Sequence, residues 1–380
     1  MSLKQVVSRF FGVETGTKPQ IVNITRPRML WNMFLYLIFR KFNMVKVPYK
    51  PINLMVEIST FCNFVCPGCE RELYKDELGG LPKYNVKLEN IKKLKNLLPY
   101  VYSIYLVSGL GEPFCNKEFW DILKFFKKFK IKTGYFSNAS LITEEEIKKT
   151  FEEKVDNVTL SIDTHIKEKY EAIKKGASFD KMLSTVKLFN EYKNKFKAKN
   201  FQLGLNYIFR SDNYEDIIDF LDLAYELKVD FVLCTSLIVH VENQKDNSFF
   251  IVDNLEKERI FKKAREKAKR LGIGIKLPEI SPKGDDVCEC LWRHLSIFYD
   301  GSVCACPYFR TDRDFYYHVK DGAIIYEKRK VSNNVLGNYL QEDILKIWNN
   351  KKMQDLRRSE IDKRYAVSPC DNCYYKYKCH

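Results

Sequence analysis

From Ile52 onward the chain repeats one pattern: a short run rich in β-branched and aromatic residues, then a longer stretch with apolar residues at helical spacing. The runs predict strands over residues 53–58, 102–107, 132–136, 157–162, 202–209 and 230–234, and the stretches predict helices over 88–98, 118–129, 144–152, 181–196 and 214–227. Thr143 followed by Glu146 gives one of these helices a capping-box start. Strands separated by whole helices are too far apart in sequence for hairpins, so each helix carries the chain back and the strands pair in parallel. The expected fold is therefore α/β, a partial (β/α)6 barrel, whose ligands sit at the C-terminal ends of the strands.

The remainder divides around that barrel. Residues 1–50 form an apolar and basic helical extension, residues 51–280 the barrel, and residues 281–380 a small module that looks separate and metal-organised. The last begins after a Pro- and Gly-containing stretch at 277–284, has short strands around Asp300-Gly301, and carries a predicted helix over 342–357. At 45% hydrophobic and 30% charged residues the composition is that of an ordinary globular chain, which excludes disordered and low-complexity classes.

The first twenty residues contain charges and no continuous apolar core, so no secretory signal is expected and the protein is read as cytoplasmic. Thiols then meet a reducing compartment, where clustered cysteines serve as metal ligands or catalytic groups more often than as disulfides. Residues 29–39 are apolar, about half the roughly 20 residues a membrane span needs. With Arg26, Arg28, Arg40 and Lys41 around them, they predict a buried helix that seals one end of the barrel, or a peripheral contact with anionic lipid through residues 29–43. The 64 Lys and Arg exceed the 49 Asp and Glu by +15, but basic and acidic residues are interspersed, and no stripe demands nucleic acid.

The twelve cysteines concentrate at 62–69, 288–306 and 370–379. Directly after the first strand come Cys62, Cys66 and Cys69 in a C-x3-C-x2-C spacing. Three thiolates on one loop can hold three corners of a [4Fe–4S] cluster and leave the fourth iron open. A zinc site would want a fourth Cys or His close by, and the nearest are Cys115 and His165.

On these residues the chain resembles the radical SAM superfamily. The resemblance implies that S-adenosylmethionine chelates the open iron, that the reduced cluster cleaves it, and that the resulting 5′-deoxyadenosyl radical takes hydrogen from a substrate, with ferredoxin or flavodoxin as electron donor. It extends through about residues 52–240. Gly109, Gly111 and Glu112 after the second strand look like the family's glycine-rich turn, with the Glu112 carboxylate accepting from the ligand amine. Ser137 and Asn138 match the polar pair near the nucleoside, Ser161 and Asp163 the ribose pair, and Asn206 and Arg210 the groups for ribose and methionine carboxylate. One departure is Gly68, where the family has an aromatic residue against the adenine; backbone groups and a neighbour such as Phe64 are left to hold that ring.

Downstream, Cys290, Gly301 and Cys306, followed by Cys370-x2-Cys373-x5-Cys379, resemble the SPASM/twitch extension of this superfamily. Asp300-Gly301 reads as the turn that brings Cys290 and Cys306 together, with Pro369 fixing the approach of the tail and Gly337 and Trp348 in the connector. The resemblance implies one auxiliary [4Fe–4S] cluster on Cys290, Cys306, Cys370 and Cys373, with Cys288, Cys304 and Cys379 as substitutes; a structural zinc is the alternative. Cys115 and Cys234 are expected to pack as small hydrophobes, although one could donate hydrogen to a product radical. His165, His240, His294 and His318 have no motif partner and are expected at surface or structural positions.

The implied activity is that of a radical SAM enzyme acting on a small-molecule, sugar or lipid-linked substrate, the auxiliary cluster making the net reaction an oxidation. Only about 50 residues precede the first strand. That is short for a peptide-binding winged-helix domain, which makes a ribosomal-peptide maturase or epimerase the second reading. The reading from another class is a zinc-binding module that recruits nucleic acid or a protein partner.

Overall fold

Each βα unit buries one face of its strand under its own helix, and the computed structural model shows how far that repeat runs. It describes residues 26–72, 82–107, 109–239, 242–280, 287–307 and 329–365, the segments 313–315, 318–320 and 323–325, and residues 327, 370 and 373. Ser108, His240, Pro369 and Cys379 therefore lie outside the described residues, as does the His318 side chain.

Strands β1 (Asn53–Glu57), β2 (Ser103–Val107), β3 (Lys132–Ser137), β4 (Asn157–Ser161), β5 (Gln202–Phe209) and β6 (Phe231–Ser236) fall where the alternation predicts and pair in parallel, each beside the next. Between them run α2 (Leu88–Lys92), α3 (Phe119–Lys127), α4 (Glu144–Glu152), α5 (Lys167–Ile173), α6 (Phe179–Lys195) and α7 (Ile217–Glu226). The predicted cap is present on α4: Glu146 N donates to Thr143 Oγ1 at 3.3 Å, while the Glu146 carboxylate turns away to Trp120 Nε1. Residues 88–98 are helical only to Lys92 and then tighten into 3₁₀ turns over Lys93–Asn96 and Leu98–Tyr100, the second containing Pro99.

The alternation runs one unit further than the six expected. The charged helix α8 (Asn254–Leu271) ends on the left-handed Gly272 and returns the chain into β7 (Gly274–Lys276), parallel to β6. The last hundred residues do not stand apart from the barrel. After α9 (Cys290–Arg293), β8 (His294–Ile297) pairs in parallel with β1, and β9 (Ser302–Cys304) and β14 (Val335–Asn338) add antiparallel strands beyond it. One sheet thus runs β14-β9-β8-β1-β2-β3-β4-β5-β6-β7, open at β7 and β14. The short pairs β10 (Arg313–Phe315) with β13 (Arg329–Val331), and β11 (His318–Lys320) with β12 (Ala323–Ile325), form two ribbons of their own. The predicted helix over 342–357 is two pieces, α10 (Ile344–Ile347) and α11 (Lys351–Ile361), because Asn350 stops the first and caps the second by accepting from Met353 N.

Alternate strand residues face opposite sides of the sheet. Leu54, Val56, Ile104, Leu106, Tyr135, Val158, Leu160, Leu205 and Tyr207 are fully buried beneath the helices, as Tyr207 against Phe220 of α7 shows. Their neighbours face inward. Asn157 donates to Tyr105 Oη at 3.0 Å, and the Tyr105 and Phe136 rings are 6.1 Å apart. Gly204 leaves space for Phe231, whose ring carbons would lie 2.2 Å from any Cβ at that position.

Helix α1 (Pro27–Arg40) closes the N-terminal end of the barrel. Asn32 donates to Lys50 O and Tyr100 O, and Arg26 to Leu98 O and Val101 O, all just before β1 and β2. Only one of its faces is buried, so the expectation of a buried helix holds for Met29, Asn32 and Tyr36 but fails for Trp31, Phe34 and Leu37. The C-terminal segment is tied to the same end through Arg357, fully buried, which donates to Leu291 O, Val45 O and Trp348 O and lies 4.4 Å over the Trp348 ring.

Candidate functional site

The loop after β1 carries Cys62, Cys66 and Cys69 at the C-terminal end of the barrel. It is fixed on three sides. Thr60 N donates to Tyr84 O, and Glu112 N to Phe61 O at 2.6 Å. Val65 N donates to Lys175 O in the turn between α5 and α6. The approach of the β2 loop is so close that a Cβ on Gly111 would lie 2.5 Å from Ser59 O and 2.6 Å from Phe61 O, which explains why glycine stands there. Phe64 is 3% exposed and packs on Gly176, which adopts φ +98. The ring expected to meet an adenine is therefore taken up inside the loop. Gly68 instead looks onto Gln244 Nε2, brought over it by the 3₁₀ segment Glu242–Asn247.

All three thiols have raised pKa values, first because of burial; Glu112 raises Cys62 further, and neighbouring sulfurs raise Cys66 and Cys69, with Cys66 pushed up to about 11. Two of them carry donors suited to thiolate: Phe64 N at 3.4 Å and Asn138 Nδ2 at 3.8 Å from Cys62 Sγ, and the backbone N–H groups of Arg71 and Glu72 at Cys69. Three facing thiols with amide donors fit a [4Fe–4S] cluster, whose charge would replace the protons they now hold. Among the described residues no three Cys, His, Asp or Glu side chains converge on a single-ion site. A cubane asks for thiolates at separate corners. Cys115, expected to be a packing residue, is half-buried near this loop, and its thiol is raised to about 11 by burial and by Glu112 and Cys62.

Glu112 is 2% exposed, and burial pushes its pKa up to about 7. Its carboxylate accepts from Ser137 Oγ at 2.7 Å and Asn138 N at 2.8 Å. The structure thus brings together Glu112, Ser137 and Asn138, but as a brace between the loops after β2 and β3. The carboxylate expected to meet the ligand amine is occupied within the protein. Gly109 lies beside the buried Glu57, whose Oε1 would be 3.6 Å from a Cβ built there.

Ser161 and Asn206 sit directly opposite one another in the β4–β5 register, both half-buried and on the inner face. Asp163 is elsewhere engaged. It adopts φ +64, accepts from Ile208 N at 3.2 Å, and pairs with Lys174 Nζ at 2.6 Å. Burial works against the Lys174 ammonium, yet Asp163, Cys66 and Cys69 outweigh it and hold its pKa above the usual lysine value. Lys174 carries no sequence signal, being one of two lysines before a turn glycine. Arg210 is gripped by its neighbour: Nε donates to Asp212 Oδ1 at 2.9 Å and Nη2 to Asp212 Oδ2 at 3.1 Å, with Asn247 Oδ1 at 3.2 Å.

The second thiol set lies at the opposite end of the strands. Cys290 opens α9, just before β8, which runs parallel to β1; the hairpin turns at Gly301 (φ +85), and β9 returns so that Cys304 pairs with Ser296. Cys290 and Cys306 are thereby at the same end, as the turn predicted. The five-residue strand β1, about 13 Å long, lies between the two sets. The Cys290 thiol is held below the usual range by a hydrogen bond from Cys288 and by Arg293 and Lys276, and Cys288 is pushed above it by that bond, by burial, and by Cys290 and Cys370. Cys288, named only as a substitute, thus sits with Cys290 and Cys370. Asn334 Nδ2 donates to Cys306 Sγ at 3.2 Å, and Cys370 and Cys373 are buried. His294 is not at the surface: it faces inward opposite Asn53, contacts Ser296 Oγ at 3.0 Å, and burial lowers its pKa to about 4.

Comparisons with known proteins agree with this layout. A family model described as radical SAM superfamily matches residues 56–224, and one described as an iron–sulfur cluster-binding domain, SPASM, matches residues 288–374. The chain is 25% identical over 332 residues to the tungsten-containing aldehyde ferredoxin oxidoreductase cofactor-modifying protein of Pyrococcus furiosus, covering 86% of this chain and 88% of that protein. It is 23% identical over 184 residues to a probable GTP 3′,8-cyclase of Methanocaldococcus jannaschii, 46% of this chain and 55% of the cyclase. Among solved structures, Streptococcus suis SuiB bound to S-adenosylmethionine superposes with TM-score 0.60 at 17% identity, over 87% of this chain and 72% of SuiB. The protein anSMEcpe with bound AdoMet gives TM-score 0.61 at 18% identity, over 87% and 84%. These two likenesses show the fold.

Proposed function

The chain belongs to the radical SAM superfamily and carries a C-terminal SPASM iron–sulfur domain, and from that premise we propose that it removes hydrogen from carbon in a small polar substrate held on the inner face of the barrel. Membership brings a [4Fe–4S] cluster with S-adenosylmethionine, and the SPASM domain brings an auxiliary iron–sulfur cluster. When bound, the first cluster and S-adenosylmethionine supply reductive cleavage and the hydrogen-abstracting group. The chain's own residues bind, orient and shield. Cys62, Cys66 and Cys69 hold the cluster, and the brace of Glu112, Ser137 and Asn138 sets the backbone of Gly109 and Gly111 against the cofactor amine. Ser161 and Asn206 meet the ribose, and Arg210, aligned by Asp212, supplies positive charge for the carboxylate. The auxiliary ligands come from Cys288, Cys290, Cys306, Cys370 and Cys373, and a ferredoxin or flavodoxin delivers electrons.

One observation carries the choice of substrate. The inner face is bounded by a thiol set at each end, and its lower part is filled by Tyr105 and Phe231 in the spaces left by Gly134 and Gly204. The upper part offers Ser161, Asn206 and Thr235 at half-buried inward positions, which suits a compact polar molecule better than an extended chain. The cofactor-modifying name of the Pyrococcus furiosus relative supports the same class. A peptide substrate is the second reading, prompted by the structure of SuiB bound to its precursor peptide.

Anaerobic reconstitution tests the proposal. About eight irons per chain and broad absorption near about 400 nm are expected, and about half the iron should be lost in the variant with Cys62, Cys66 and Cys69 all replaced by Ala. That variant should make no 5′-deoxyadenosine, whereas Cys373→Ala should make it without completing the reaction. Deuterium transfer from labelled candidates then separates small molecules from peptides. Colourless, zinc-loaded protein, or transfer only from a peptide, would refute the corresponding part.

A further inference from the structure

Helix α1 has two apolar faces, and the barrel covers only one. Met29, Asn32 and Tyr36 point into the protein, while Trp31, Phe34 and Leu37 are 61%, 48% and 36% exposed on the other side. Phe42 and Met44 in the following turn continue the patch, and the Trp31 and Phe34 rings stack at 5.2 Å. The sequence around the patch is basic. Residues 15–56 contain no Asp or Glu, against Lys18, Arg26, Arg28, Arg40, Lys41, Lys46 and Lys50. Arg26 is engaged with backbone carbonyls and Arg40 with Glu289, which leaves Arg28, Lys41 and Lys46 around the patch.

We propose that this face docks on an anionic lipid bilayer with α1 lying in the plane of the surface. At about 1.5 Å per residue its 14 residues extend about 21 Å, and among the described residues no helix is long and apolar enough to cross a membrane. Aromatic and aliphatic side chains on a convex helix, with Arg28, Lys41 and Lys46 beside them, match the interfacial zone of such a bilayer, where apolar burial and attraction to lipid headgroups act together. Protein interfaces are also rich in Trp, Phe and Met, but they are depleted in lysine, and Lys41 and Lys46 flank this patch. The geometry also decides how the enzyme faces. Through Asn32 and Arg26 the helix is fixed to the N-terminal ends of β1 and β2, and the Cys62 loop lies at their C-terminal ends. The cluster end therefore turns away from the lipid, and the substrate reaches it from the aqueous side. A membrane contact at α1 thus argues against the lipid-linked substrate named among the expected classes.

Flotation of the full chain with vesicles tests this. Binding is expected to equimolar phosphatidylcholine and phosphatidylglycerol vesicles at low salt, and not to phosphatidylcholine alone, with loss as salt rises. Trp31→Ser with Phe34→Ser should weaken partitioning at least about tenfold, and Lys41→Glu with Lys46→Glu should abolish the preference for anionic lipid. Vesicles should shift the tryptophan emission to the blue in the wild type but not in Trp31→Phe, because Trp292 and Trp348 are already fully buried and the half-buried Trp120 is held on α3 by Glu146, away from α1. Unchanged unfolding midpoints and iron content would separate loss of docking from loss of fold. Absence of vesicle binding, or equal binding by the Trp31/Phe34 variant, would overturn the proposal. So would self-association through this face without lipid binding, or binding only after deletion of residues 1–25.

Discussion

Replacing Lys174 with Met probes the ion pair behind the cysteine loop. Lys174 Nζ lies 2.6 Å from Asp163 Oδ2, with the side chains only 10% and 4% exposed. At an effective dielectric constant near 20, a contact of this length carries about 6 kcal/mol of attraction. Desolvation opposes it by several kcal/mol per ion, so the intact pair contributes little net stability while a lone partner is costly. Lys174→Met strands a buried carboxylate in a left-handed backbone conformation, and the expected loss is about 3–4 kcal/mol. Protonation is the one escape. For a carboxyl of ordinary acidity it costs about 4 kcal/mol at pH 7 and about 1.5 kcal/mol at pH 5. The destabilisation should therefore be capped near about 4 kcal/mol at pH 7 and fall by about 2.5 kcal/mol at pH 5. Adding Asp163→Asn should restore most of the loss, giving a coupling of at least about 2 kcal/mol. Urea unfolding of the four members of this cycle at both pH values measures each quantity. A loss below about 1 kcal/mol at pH 7, a loss that does not shrink at pH 5, or additive single effects would each refute the reasoning. In the reconstituted enzyme, removing a cation beside Cys66 and Cys69 should also make the first cluster harder to reduce, readable in an EPR-monitored redox titration.

Three other substitutions test the frame around the site. Glu112 has its pKa raised from 4.5 to about 7 by burial, so the folded protein keeps a proton that the unfolded chain releases in that interval. Its contribution is full below pH 4.5 and is lost as pH rises through 7, about 3 kcal/mol in all, and Glu112→Gln should flatten that part of the stability profile in urea unfolding. Gly204→Ala places a methyl group 2.2 Å from the Phe231 ring and should cost about 1–3 kcal/mol, with partial rescue by Phe231→Leu. Arg357→Met removes donors from Leu291 O, Val45 O and Trp348 O and should cost at least about 3 kcal/mol, followed through the buried Trp348 fluorescence.

The alternation of strands and helices and the thiol spacings were legible in the sequence because each depends on residues close together along the chain. Strand β5 fell over the predicted residues, and the Thr143 cap and the Gly301 turn appeared where the local signals put them. Cys62, Cys66 and Cys69 needed only a loop to stand together. The seventh strand was hidden because β7 is three residues long and its helix α8 is densely charged, which mutes the apolar period.

What the tertiary structure decided are the pairings between residues far apart in the chain. Nothing near Glu112 announces that Ser137 and Asn138 will occupy its carboxylate, nor near Asp163 that Lys174 will reach it. The pairing of β8 with β1 joins residues more than two hundred positions apart and turns an expected separate module into part of the barrel sheet. It also sets Cys290, Cys304 and Cys306 at the end of the strands opposite the Cys62 loop. The two faces of α1 were present in the sequence as a single apolar run; only the contact of Asn32 with Lys50 O and Tyr100 O determined which face the barrel buries and which it leaves bare. Local periodicity fixes an element and its apolar residues, whereas the partner of a buried charge or an exposed aromatic is chosen by the packing of the whole chain.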